Sequence, residues 1–284
     1  MDSTAENLLN TAGIWESGIA AMPNSEFRIP NCLFRIPNSI LSDTVRCAPV
    51  ISAALSGQND YFLQARESVR VRETKCGYFH FVINRPEDIE TLTVDIRSFL
   101  RRFIAIDAEY EGAWRELFPE AEYRRFRLHV ITRHMLSPRM DRSLPEDMQI
   151  VPMDNSWDEL VVKLCADEEF TAEHLSEQLR CNLSRGLLWR GERAGFISTH
   201  LNGEIGPMWI LPECRYRKFG AILLWEYLSE FFKTNKIVFG LSAPENHASA
   251  KMMENLGFQV LEKDILHITK RSVGANNAEN VTGY

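Results

Sequence analysis

The 284-residue chain is short of several things, and each shortage removes a class of function. Its six cysteines (Cys32, Cys47, Cys76, Cys165, Cys181 and Cys214) include no Cys-x-x-Cys pair and match no zinc spacing, so no metal site is expected. Reduced, mostly buried thiols of an intracellular protein are the plain reading. No apolar run nears the ~20 residues of a membrane span. The opening "MDSTAENLLN" carries acids and lacks the basic stretch of a secretory signal. The expected location is therefore cytoplasmic, with no membrane partner. Positive charge is in deficit: 32 Lys and Arg against 39 Asp and Glu give a net charge of -7, which argues against a general nucleic-acid binder. Neither GxxxxGK[ST] nor GxGxxG is present, so two familiar glycine-loop nucleotide sites are missing too. What remains is ordinary globular composition, 45% hydrophobic and 25% charged, in a length that suits one large domain or two small ones.

Residues 1–40 read as an irregular arm, frequent in Gly, Pro, Asn and Ser. A direct repeat, "FRIPN" at Phe27–Asn31 and Phe34–Asn38, falls here; it is too short for a solenoid and fits either chance or two turns of an extended arm. Residues 41–140 read as an α/β domain with no nameable motif. "VRCAPVISAAL" fits a strand or a short helix, and Tyr78–Asn84 a strand. Pro86 opens a helical spacing of Ile89, Leu92, Ile96, Leu100 and Phe103. Tyr123–His134 alternates as a strand, with Arg125, Arg127, His129 and Ile131 on one side. Arg124, Arg125 and Arg127 are expected to be solvated or paired with nearby acids, although Trp114 or Arg127 could instead reach an acceptor pocket. Strand, helix and strand recur in this half, as they would in a degenerate second copy of the later domain. The polar, proline-bearing Ser137–Asp147 is the linker candidate.

Residues 148–272 pattern more clearly. Ser156 and Glu159 make a capping box for one helix, and "EEFTAEHLSEQLRCNL" is a second. Two strands meet through a Gly191-Glu192 hairpin and "EIGPMWILP" adds a third. A wide-faced helix, a buried strand "KIVFGLSA", a helix ended by Gly257 and a strand "ILHIT" follow. Residues 273–284 read as a disordered tail.

The decisive stretch is "PECRYRKFGAILL". Arg215, Arg217 and Lys218 stand where a strand hands over to an apolar helix, and three cations there oppose the helix dipole unless an anion joins them. Arginine grips phosphate with two bonds, so a pyrophosphate is the ligand implied; a solvated basic turn is the plain alternative.

These residues resemble the phosphate-binding motif of the GCN5-related N-acetyltransferases (GNAT), Q/R-x-x-G-x-G/A at a helix start, here Arg215-Tyr216-Arg217-Lys218-Phe219-Gly220. The later "APENHASAKMMENLGF" resembles the second signature of that family: strand, asparagine, helix, then Gly-Phe. The resemblance spans roughly 148–271. It implies an α/β (α+β) fold, a mixed, mostly antiparallel sheet flanked by helices, whose fourth and fifth strands splay to admit the pantetheine arm of coenzyme A. The implied donor is acetyl-CoA or another short acyl-CoA, with no metal, and the implied acceptor is a primary amine, a small molecule or amino acid before a protein. Met208, Trp209 and Ile210 would pair with pantetheine. Arg215, Tyr216, Arg217, Lys218, Phe219, Gly220 and Ala221 would wrap the pyrophosphate, and Asn246 and Ser249 would touch the cofactor, Asn246 also fitting an N-cap. Glu204, eleven residues before Arg215, would be the general base, since an amine arrives protonated. His200 is an alternative base and Cys214 a conceivable acyl carrier. "NGEIGPMWILPECR" is also similar to the matching stretch of the glycine N-acyltransferases. Two departures stand out. Lys218 replaces the first glycine of the motif. Met253, which cannot donate a proton, replaces a frequent tyrosine acid. A non-catalytic acyl-CoA-binding module of the same fold is the competing expectation.

Overall fold

A computed structural model describes residues 26–29, 32–35, 43–55, 59–73, 78–98, 102–138, 144–165, 184–199, 204–234 and 237–270. The described residues divide into two compact units, one up to Arg127 together with those from Glu262 on, the other Leu128–Leu261. This division is drawn differently from the segments 41–140 and 148–272, because the last strand groups with the first unit.

In the first unit β1 (Glu26–Ile29) and β2 (Cys32–Arg35), which hold the opening residues of the two repeats, pair antiparallel, with Phe27 opposite Phe34. The segment open to either reading is a helix, α1 (Thr44–Leu55), which buries Cys47, Ala48, Val50 and Ile51. An antiparallel meander follows: β3 (Asn59–Ala65), β4 (Ser68–Glu73) and β5 (Phe79–Val82). The chain then passes through α2 (Asp88–Thr93) to β6 (Arg102–Ile106), parallel to β5 over four residue pairs. After α3 (Glu111–Leu117) comes β7 (Ala121–Thr132), and β14 (Ile265–Lys270) pairs antiparallel with both β6 and β7.

The helix expected from Pro86 to Phe103 is thus shorter than its spacing. It stops at Thr93, whose hydroxyl donates back to the Ile89 carbonyl at 2.8 Å, and Phe103 belongs to a strand. The apolar positions still converge: Ile89, Leu92 and Phe103 enter one core with Phe81, Trp114 and Phe118. Trp114, open to a pocket role by sequence, is fully buried there, 5.1 Å from Phe81 and 4.9 Å from Phe103 between ring centroids. Arg124 and Arg125 pair with Glu122 and Glu111.

The second unit begins with β8 (Met148–Pro152) and α4 (Asp158–Cys165). A 3-10 turn (Asn155–Trp157) leads into α4 and is capped by Asp154, which accepts from the Ser156 N–H at 2.9 Å, so Ser156, the expected cap, lies inside that turn. The expected second helix of "EEFTAEHLSEQLRCNL" lies outside the described residues, as do His200 and the arm and tail beyond 26 and 270. Next come β9 (Ser184–Trp189), β10 (Glu192–Thr199) and β11 (Glu204–Ile210), then α5 (Phe219–Phe231) and β12 (Ile237–Ser242). The unit closes with α6 (His247–Leu256) and β13 (Gln259–Val260). The β9–β10 turn is Arg190-Gly191, both at positive φ, one residue earlier than the expected pair; two left-handed residues match the twist of a two-residue hairpin. The strand order is β8-β9-β10-β11-β12-β7, with β13 on β7. β8 to β11 run antiparallel, while β12 is parallel to β11.

Both faces of this sheet are buried. Ile197 faces a core with α5 and α6 that contains Leu223, Leu228, Val238, Met253 and Leu256, while its neighbour Phe196 joins Met153, Trp157 and Val161 beneath α4.

Candidate functional site

The parallel ladder between β11 and β12 is short. Glu204 pairs with Phe239 and Ile205 with Gly240, and no further pair joins the two strands among the described residues. β11 stays bound to β10 as far as Ile210, opposite Gly195. Between the pairs Thr199–Ile205 and Ile197–Met208, β11 has two residues, Gly206 and Pro207, where β10 has one, Ser198. This is a bulge at Gly206-Pro207, and bulges re-aim the bulged strand. β11 is therefore carried away from β12, and Gly206–Ile210 present an edge toward a fork. The bulge also resets the alternation: Ile205, Met208 and Ile210 pack on the α5–α6 side, and Trp209 on the α4 side.

At the open end of β11 the chain makes a 3-10 turn (Pro212–Cys214), then a four-residue loop into α5. Tyr216 and Lys218 both hold left-handed backbone, φ 62° and 61°. Lys218 is the N-cap of α5 and makes no side-chain cap bond. The first α5 residue whose N–H returns to the cap is Ile222, bonding the Lys218 carbonyl, which leaves Phe219, Gly220 and Ala221 with the outward N–H groups of a helix start. Arg215, Tyr216, Arg217 and Lys218 are all exposed, Tyr216 completely so. Arg215 is anchored: its Nε donates to the Ile210 carbonyl at 3.0 Å and its guanidinium lies 5.4 Å from the Trp209 ring centre. Gly220 sits in a tight seat; a Cβ there would meet Met252 Sδ at 3.3 Å. An uncapped helix start with cations around it is an anion cradle, and its residues fit a pyrophosphate.

Glu204 is half-buried at the base of the fork. It lies one residue before Ile205, so alternation turns it to the face away from α5 and α6. Asn246 caps α6, its Oδ1 accepting from the Ser249 N–H at 3.1 Å, and both lie beyond the far end of β12. Met253 is in the core, its sulfur 3.6 Å from where a Cβ on Gly240 would be. Cys214 is buried, and burial with the adjacent Glu213 pushes its thiol up against the opposing pull of Arg217. Since the thiolate is the nucleophile, this disfavours an acyl-cysteine route. One buried polar pair at the fork escapes sequence reading: His129 Nε2 and Ser242 Oγ, 2.8 Å apart but 113 positions apart in the chain.

Residues 150–258 match the acetyltransferase (GNAT) family model. The second unit carries a GNAT domain. A Drosophila protein aligns over 96% of this chain and 98% of its own length at 15% identity, TM-score 0.62. A GCN5-related N-acetyltransferase from Kribbella flavida aligns over 78% of this chain and 96% of its own at 11% identity, TM-score 0.53. These likenesses are of fold. No curated protein matches the chain by sequence. The GNAT fold supports acyl transfer from an acyl-CoA donor.

Proposed function

We propose that the protein is an N-acyltransferase that moves an acetyl or other short acyl group from acyl-CoA to a primary amine by direct attack. The observation that carries this reading is the fork itself: β11 leaves β12 after Ile205, and its free edge leads straight to the uncapped start of α5. Met208–Ile210 offer backbone groups to the pantetheine arm, while the Phe219–Ala221 N–H groups with Arg217 and Lys218 take the pyrophosphate. Asn246 and Ser249 are cofactor contacts in this reading, alongside their capping bond. Glu204 removes the proton of the amine on its own face of the fork, directly or through water, and a β11 N–H meets the oxyanion that develops. The competing reading, an acyl-CoA-binding module without turnover, draws support from Met253, which fills the core where a proton donor would serve.

Calorimetric titration of the full chain with acetyl-CoA tests the cradle. Arg217→Ala and Lys218→Ala are each expected to weaken binding about tenfold, the loss of ~1.4 kcal/mol of charge-assisted contact. Glu204→Gln then separates the readings: thiol release in an amine screen falls at least a hundredfold with affinity kept if the protein is an enzyme. Absence of acetyl-CoA binding by the wild type would sink both.

A further inference from the structure

Transfer from a thioester breaks a C–S bond and leaves the electron pair on sulfur, and a departing thiolate inside a protein needs a hydrogen-bond donor. Met253 cannot supply one. Ser242 is the hydroxyl-bearing residue of β12 itself, the strand that forms one side of the fork. It lies two residues past Gly240, the last β12 residue paired with β11, and therefore on the same face as Gly240 and Met253. Glu204 comes from the other strand and faces the opposite side. In a tetrahedral centre held between two strands, the entering amine and the departing sulfur occupy different corners, so each strand can serve one of them. Ser242 is 3% exposed, and its Oγ sits 2.8 Å from Nε2 of His129, which is fully buried on the neighbouring β7. His129 shares its strand face with Ile131, a member of the α5–α6 core, so the imidazole approaches the hydroxyl from beneath that core.

We propose that Ser242 is the thiolate-stabilising residue of the transfer and His129 its positioning residue. With the Nε2–H tautomer, His129 donates to Ser242 Oγ and occupies a lone pair there, so the one hydroxyl proton is directed away from β7 toward the fork. The ammonium first passes one proton to Glu204, which hands it to water; as the neutral nitrogen then bonds the carbonyl carbon and its second proton goes to Glu204, the C–S bond breaks and sulfur keeps the pair. Ser242 Oγ–H then donates to that sulfur. No proton leaves Ser242 or His129 in the step, and the thiolate takes its proton from water after release. This assignment rests on the acyl-CoA reading above.

Because the acceptor amine is unidentified, the test uses free coenzyme A bound to the full chain. The ionisation of the bound thiol is followed by the ultraviolet absorbance of the thiolate across pH. A hydroxyl aimed at sulfur favours the anion, so the titration midpoint in Ser242→Ala is expected to rise about one pH unit or more above wild type. Ser242→Thr is expected to hold the wild-type midpoint, and His129→Gln, whose amide still donates to Oγ, to keep most of the lowering. Should Ser242→Ala unfold the chain, Ser242→Thr against its isostere Ser242→Val gives the same comparison. Equal midpoints in hydroxyl-bearing and hydroxyl-free variants that bind coenzyme A would overturn the assignment and leave the transferase reading standing. Wild type that binds no coenzyme A in the accompanying calorimetry would instead overturn the transferase reading, and this assignment with it.

Discussion

Lys218 carries two opposed effects on one residue. Its left-handed backbone, φ 61° and ψ 11°, costs an L-residue ~1 kcal/mol that glycine avoids, and glycine is what the motif asks for at this position. Its ammonium stands at an uncapped helix start, where a phosphate would offset the cationic repulsion. The two effects separate in Lys218→Gly. Stability is expected to rise by at most ~0.6 kcal/mol, the ~1 kcal/mol relief of strain less the ~0.4–1 kcal/mol of greater freedom of glycine in the unfolded chain, as read by urea denaturation. Acetyl-CoA affinity is expected to fall about tenfold in the same variant. Tighter binding would show that the side chain obstructs the cradle. The sequence displayed the substitution but not its backbone, because φ is decided by how the 3-10 turn at Pro212–Cys214 delivers the loop. Ser242 and His129 stayed hidden for a related reason: each is an ordinary strand residue until two strands bring them together.

At the level of elements, the two units repeat one plan with one difference. In the first, the meander β3–β4–β5 is followed by α2 and a parallel strand β6; in the second, β8 to β11 are followed by α5 and parallel β12. Strand, helix and strand in the same order were legible from periodicity in both halves. What periodicity does not carry is the extent of a ladder. β5 and β6 pair through all four residues, Phe79–Val82 with Phe103–Ile106, and the end of β5 is pinned: Arg46 donates to the Ile83 carbonyl and to Asn84, and grips Asp107 at 2.6 and 2.7 Å. Among the described residues the first unit thus shows no fork, and the loop before the six-residue α2 carries one cation, Arg85, against the acids Glu87 and Asp88 at the helix start. The β11 bulge has no such signal beyond Gly206-Pro207, and Gly195 allows its partner strand to follow, since a Cβ there would meet the Trp209 carbonyl at 2.5 Å. Calorimetry is therefore expected to give one acyl-CoA per chain, and a stoichiometry of two would mean that the β5–β6 ladder opens.

For the molecule as a whole, the clearest acid-sensitive element lies away from the fork. His80 on β5 is completely buried, and burial, with repulsion from His267, holds its pKa down to about 4 from an ordinary 6.5. β6 lies between the two histidines: both His80 and His267 are in register with Ile104, so their side chains share one face of the first sheet. The folded chain keeps His80 neutral while the unfolded chain protonates it, so below pH 6.5 the unfolded state binds more protons and stability falls with pH. This loss is absent at pH 7, grows from about pH 6.5 down to pH 4, and amounts there to ~3 kcal/mol, at 1.36 kcal/mol per pH unit. Carboxylates held low by their partners, such as Glu230 beside Lys233, begin to weaken folding only as pH falls through their ordinary 4.5, so they add little to the slope above it. Urea denaturation followed by circular dichroism at steps between pH 7 and 4.5 reads the slope. His80→Leu, which fills the site without a titrating nitrogen, is expected to flatten it, whatever its effect at pH 7. An unchanged slope in that variant would move the acid sensitivity elsewhere in the chain and mean that His80 is protonated in the folded state.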